Sequence, residues 1–82
     1  MTEQELKDQF AVQLRLHLWR EGWTPQDLMD RLYSSHGLSV SRSTVWYWTN
    51  GRQIPRPIVI QWIAECFGES LRDFFPPPES EP

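Results

Sequence analysis

Leu6, Phe10, Leu14 and Leu18 recur at every fourth position and lay an apolar stripe along a helix expected from about Glu5 to Arg20. Val12, Leu16 and Trp19 add a second, partial stripe, and Gly22 stops the helix. The polar opening Met1-Thr2-Glu3-Gln4-Glu5 is expected to fray. Thr24-Pro25-Gln26-Asp27 starts a second helix with three agreeing signals. Thr24 is an N-cap residue, Pro25 takes the first helical position, and Asp27 completes a variant capping box. Leu28 and Leu32 face inward, and the helix extends to Ser35 or His36 before Gly37. Ser41 caps a third, short helix in which Val45 and Trp48 share the inward face. Val40 and Val45 have hydrophobic-staple spacing, and Asn50-Gly51 forms the stop. Arg56-Pro57 opens a fourth helix that runs to Phe67, ahead of Gly68. Its core stripe is Ile60, Ile63, Ala64 and Phe67, and Ile58, Trp62 and Cys66 form another. Ser70 caps a short fifth helix, Leu71 to Phe75. The pattern contains no strand and no repeat, which makes the expected fold all-α.

At 82 residues the chain is the size of one small domain, expected over 1–75, with a Pro-rich acidic tail at 76–82. That tail is expected to be disordered or to begin a linker, because proline cannot continue a helix. One cysteine, Cys66, excludes an internal disulfide framework, and no Cys/His cluster has metal-ligand spacing. The core must come from packing, which five tryptophans and four phenylalanines make feasible. No apolar run is long enough for a membrane span and no signal peptide is recognisable, so the expectation is a cytoplasmic protein. His17 and His36 are lone histidines, and Cys66 has no obvious base nearby. With no nucleophile–base pair, phosphate loop or carboxylate dyad, an enzyme is not expected, and neither is a cofactor or a metal.

The formal charge of −3 argues against nucleic acid until its distribution is considered. Residues 1–30 carry six acids and three bases, and residues 65–82 carry five acids and one base. Between Arg31 and Ala64 there is no acid, and there are four arginines: Arg31, Arg42, Arg52 and Arg56. A local positive patch on an acidic protein can engage phosphates while the rest of the surface suppresses non-specific binding.

The third helix has an outer face of Arg42, Ser43, Thr44, Trp46 and Tyr47, which folding does not require. Trp48-Thr49-Asn50-Gly51-Arg52-Gln53-Ile54-Pro55 resembles the Trp-Glu-x-Gly-x-x-x-Pro signature that follows the recognition helix in the lambda-repressor-like helix-turn-helix family, the Cro and phage-repressor type. Phe67-Gly68-Glu69-Ser70-Leu71-Arg72-Asp73-Phe74 resembles that family's Leu-Gly-x-Ser-Leu-x-x-Leu ending, and the resemblance covers about Phe10 to Phe75. It implies a five-helix domain and sequence-specific binding of double-stranded DNA. Three departures stand out. Pro25 occupies the place of the family's phosphate-touching Gln, and Gln26 follows it. Leu18 and Thr49 replace an Arg–Glu pair, both partners together. Seven residues, Tyr33 to Ser39, separate Leu32 from Val40 where the tight form has about one, and we read them as an extended second helix.

By this resemblance Arg42, Ser43 and Tyr47 point at base edges, with Thr44 and Trp46 beside them. Arg donates in pairs to guanine, hydroxyls serve any base, and apolar surface meets the thymine methyl. Trp46 either touches DNA or sits in a protein interface. Gln26, Asn50, Arg52 and Arg56 are the expected phosphate contacts, which set register without reading sequence. Ile58, Trp62, Phe74 and Phe75 form the expected homodimer surface. The resulting expectation is a bacterial or phage-type transcriptional regulator, a repressor by operator occupancy. The alternative is a helix-turn-helix module that binds a toxin, a polymerase subunit or another regulator.

Overall fold

The computed structural model describes residues 2–75, so Met1 and the expected disorder of 76–82 lie outside the described residues. Five helices follow one another: α1 (Glu3–Glu21), α2 (Pro25–His36), α3 (Arg42–Thr49), α4 (Pro57–Cys66) and α5 (Leu71–Phe74). No strand occurs among the described residues.

Local chemistry accounts for most helix ends. α1 starts two residues earlier than the apolar stripe suggests, and Thr2 to Glu5 do not fray. The Thr2 hydroxyl accepts from the Glu5 amide at 3.1 Å, and the Glu5 carboxylate accepts from the Thr2 amide at 2.8 Å. This reciprocal box satisfies two otherwise free donors of the first turn. Those bonds, chiefly the one from the Thr2 backbone, hold the Glu5 carboxyl below its ordinary pKa. Thr24 and Asp27 repeat the box at α2, with bonds of 3.2 and 2.8 Å. Ser41 and Ser70 each accept from the third amide of their helix. α4 begins without a side-chain cap, and Pro57 at its first position supplies the start. It ends at Cys66, with Phe67 as cap rather than last turn.

The core joins all five helices. Phe10, Leu14 and Leu18 of α1 meet Leu28 and Leu32 of α2, Val45 and Trp48 of α3, Val59, Ile60 and Ile63 of α4, and Phe74 of α5. Leu6 is only half-buried, so the working stripe of α1 starts one turn later than the sequence pattern suggests. Phe10 stands at the crossing point. Its ring is edge-on to Trp48 at 6.5 Å, to Phe74 at 5.9 Å and to Phe75 at 5.8 Å.

One polar group is buried with them. His17 is 4 % exposed, and both ring nitrogens are engaged. Nδ1 lies 2.7 Å from the Gln13 carbonyl oxygen, which only accepts, so Nδ1 carries hydrogen. Nε2 is 2.8 Å from the Glu69 carboxyl, and a hydrogen bridges the two. The ring also packs on Phe74 at 4.6 Å and on Phe67 at 5.2 Å. His17 thus ties α1 to the connection between α4 and α5.

α2 continues past Leu32 to His36 and is capped by Gly37 in the left-handed conformation, φ 68°. Its last turn has a clear structural use. His36 stacks on Trp62 of α4 at 5.0 Å and 14°, and its Nε2 lies 3.4 Å from Glu65.

Trp48→Ala should unfold or badly destabilise the domain, and Trp46→Ala should leave it folded. Trp48 is 4 % exposed and Trp46 51 %. Removing a buried aromatic typically costs about 3–5 kcal/mol, much of what a small domain has. Thermal melts of the two variants give the comparison, and an early-melting Trp46 variant contradicts this packing.

Candidate nucleic-acid interface

α3 is eight residues long, and its two faces are fixed by opposite demands. Val45 and Trp48 enter the core three positions apart. That leaves Arg42, Ser43, Trp46 and Tyr47 as a single outer stripe, and these four side chains line a shallow concavity of about 350 Å³. Trp46 and Tyr47 meet edge to face at 5.5 Å and 75°. Thr44 is not part of this group. It is half-buried, and its hydroxyl lies 2.9 Å from Ser41 at the helix start.

The expected phosphate ligands divide in two. Arg52 and Arg56 are exposed, and neither takes part in an ion pair among the described residues. Gln26 and Asn50 have other work. The Gln26 carboxamide accepts from Arg42 Nη2 at 3.1 Å and donates to Asp30 Oδ1 at 2.9 Å. Asn50 donates through Nδ2 to the Trp46 carbonyl at 2.8 Å, closing the C-terminus of α3. The fourth arginine of the acid-free stretch, Arg31, lies over the Trp23 ring at 4.2 Å, and Trp23 stacks on Phe67 at 4.7 Å. Its charge is held against an aromatic face. Three arginines therefore remain around α3: Arg42 at its start, and Arg52 and Arg56 beyond its end.

Two residues that the sequence pattern does not single out fasten α3 from behind. Arg15 of α1 donates through Nη1 to the Thr49 carbonyl oxygen. Gln4 donates to the Gly51 carbonyl at 3.0 Å. α1 and the C-terminal end of α3 are thus bridged by an arginine side chain and a backbone oxygen. Gly51 has φ 71°, and a Cβ there would meet Asp8 Oδ1 at 2.6 Å, so the second position past α3 is constrained by both conformation and α1.

The expected dimer surface needs one correction. Phe74 is fully buried, because α5 turns it inward against Phe10, Phe67 and His17. Trp62 is half-buried under His36, and Phe75 is half-buried against Phe10. Ile58 alone of the four is openly exposed. Phe75 also borders an apolar groove between α4 and α5, with Pro57, Ile60 and Leu71. A separate apolar strip runs along the outside of α1, where Val12, Leu16 and a 79 % exposed Trp19 have no cover.

Among the described residues no group of three His, Cys, Asp or Glu side chains is placed to hold a metal. No helix described is long and apolar enough to cross a membrane. No family model matches this chain, and no curated protein or solved structure shows significant similarity to it.

Cys66 is partly buried at the end of α4. Burial pushes its thiol above the ordinary value, with the Arg31 charge pulling the other way and Glu65 adding to the rise. The thiolate is the reactive form, so a raised value leaves less of it at any pH below that value. Alkylation by iodoacetamide at pH 8 should therefore be several-fold slower in the folded protein than in denaturant, and should accelerate as pH rises. Equal rates in the two states would show that Cys66 is neither shielded nor shifted.

Proposed function

We propose that this chain is a sequence-specific, double-stranded DNA-binding regulator of transcription, of bacterial or phage type. In this reading α2, the 37–41 connection and α3 work as a lambda-repressor-like helix-turn-helix, in the cytoplasm. The observation that carries it is the outer stripe of α3. Arg42, Ser43, Trp46 and Tyr47 share one face, uninvolved in the core, on a helix whose ends are clamped by Ser41, Arg15 and Asn50.

Such a stripe suits a major groove. Arg42 supplies a guanidinium for a guanine edge, and Ser43 a hydroxyl for either a donor or an acceptor. The Trp46–Tyr47 pair supplies apolar surface for a thymine methyl. Arg52 and Arg56, exposed beyond the end of α3, would meet the phosphate backbone flanking an inserted helix, and their charge would steer the approach. α3 is only about 12 Å long at 1.5 Å per residue, so one copy spans few base pairs. A homodimer on a two-fold site is the economical way to lengthen the read sequence. Ile58, the uncovered edge of Trp62 and the groove beside Phe75 are the surface proposed for it. Repression would follow from occupying an operator. A protein-binding role is the second reading, favoured by the open Val12–Leu16–Trp19 strip. Binding to random duplex that weakens steeply with salt separates the two.

Arg42→Ala should remove about 1–3 kcal/mol of discrimination between the preferred site and random duplex. Arg52→Ala should weaken both alike and lower the salt slope by about one. Titrations of each variant at several salt concentrations read this out. Uniform loss for both variants would mean that α3 does not present Arg42 to bases.

Ile58→Glu should yield a folded monomer that binds a two-fold site much more weakly, since each half-site loses the help of the other. Sedimentation with and without DNA, alongside circular dichroism, reports it. A wild-type chain that stays monomeric in both conditions rules out this dimer.

A further inference from the structure

Gln26 joins the two helices at their N-terminal ends, and its amide is used from both sides. Its Nε2 donates to Asp30 Oδ1 at 2.9 Å, one turn along α2. Its Oε1 accepts from Arg42 Nη2 at 3.1 Å, across the gap to the first residue of α3. An ionised carboxylate only accepts and a guanidinium only donates. A carboxamide between them therefore has one orientation that satisfies both. Reversed, it would set donor against donor at Arg42 and acceptor against acceptor at Asp30. The three groups form a chain of aligned dipoles in which each bond polarises the next.

We propose that Asp30 is a positioning residue for base recognition: through Gln26 it fixes where the Arg42 guanidinium stands before DNA arrives. This inference rests on the DNA-binding reading and deepens it. Gln26 then holds Arg42 rather than a phosphate. One of the five guanidinium N–H groups is spent on Gln26, and four remain for a guanine edge. A side chain held in its working place loses less freedom on binding. Plain electrostatics gives Asp30 the opposite character. A carboxylate beside the DNA-facing helix repels every duplex equally and cannot favour one sequence.

Those two roles separate in a pair of substitutions. Asp30→Asn removes the charge but keeps an oxygen that accepts from Gln26. Asp30→Ala removes both. Asp30 is exposed, so both variants should keep the wild-type circular dichroism and melt. The probes are a duplex selected by the wild-type protein from a random pool and an unrelated duplex of equal length. Asp30→Ala should lower the ratio of specific to random affinity about two- to tenfold, the scale of one exposed hydrogen bond. Its affinity for random duplex should hold or rise. Asp30→Asn should keep the wild-type ratio. Replacing the guanine under Arg42 by 7-deazaguanine should cost the wild type and Asp30→Asn more than Asp30→Ala. Side-chain nitrogen NMR of the free protein supplies a readout without DNA. The Gln26 carboxamide hydrogens should be protected in the wild type and in Asp30→Asn, and exchange freely in Asp30→Ala. A ratio unchanged in Asp30→Ala, or changed equally in both variants, overturns the positioning role while leaving DNA binding intact. Absence of salt-dependent duplex binding by the wild type overturns the DNA-binding reading, and this role with it, even if the carboxamide proves protected.

Discussion

The packing of Trp48 against Phe10 is the contact on which the arrangement of α3 depends. α3 has eight residues and too few internal hydrogen bonds to persist alone. What keeps it in place is its inner edge. Trp48 meets Phe10 edge to face, and Val45 is wholly buried beside it. Because a helix advances about 100° per residue, fixing Val45 and Trp48 inside sends Arg42, Ser43, Trp46 and Tyr47 outside. The apolar core thus sets the direction of the proposed reading face, even though it supplies none of that face's chemistry.

Polar contacts then adjust α3 where apolar packing is indifferent. Burial sets how deep a helix sits but resists small sliding only weakly, since it lacks direction. Hydrogen bonds have direction. Arg15 and Gln4 draw carbonyl oxygens at and just beyond the C-terminal end of α3 toward α1, and Gln26 holds Arg42 at the other end. Each of these partners lies on a helix other than α3: Arg15 and Gln4 donate from α1, and Gln26 of α2 accepts from Arg42. The position of the outer stripe is therefore a property of three helices, and substitutions on α1 or α2 can alter it without touching it.

The two histidines serve the same scaffold in different ways. His17 is buried and uses both nitrogens to join α1 to the α4–α5 connection. His36 closes the last turn of α2 over Trp62. That turn covers apolar surface on α4 that would otherwise face water. It also removes most of Trp62 from any shared interface, and α5 does the same for Phe74.

Helix existence, order and most ends are legible in the sequence because their causes are local. Thr24, Ser41, Ser70, Gly22 and Gly37 act on amides and carbonyls within a few positions of themselves. Even the early start of α1 was present as Thr2-x-x-Glu5, a signal outweighed by the polar composition around it. The inward residues of α2 and α3 also follow from spacing alone. Tertiary structure decided what spacing cannot. Phe74 and Ile58 are both apolar residues on short helices, yet one is sealed and the other open, and only the fold-back of α5 distinguishes them. Spacing does not reveal that Gln26 and Asn50 have hydrogen-bond partners within the protein. Gln26 finds Arg42 sixteen positions away, and Arg15 finds Thr49 thirty-four away. A sequence pattern reports which residues share a face of their own helix. It does not report which face of another helix arrives opposite, and a hydrogen bond depends on both.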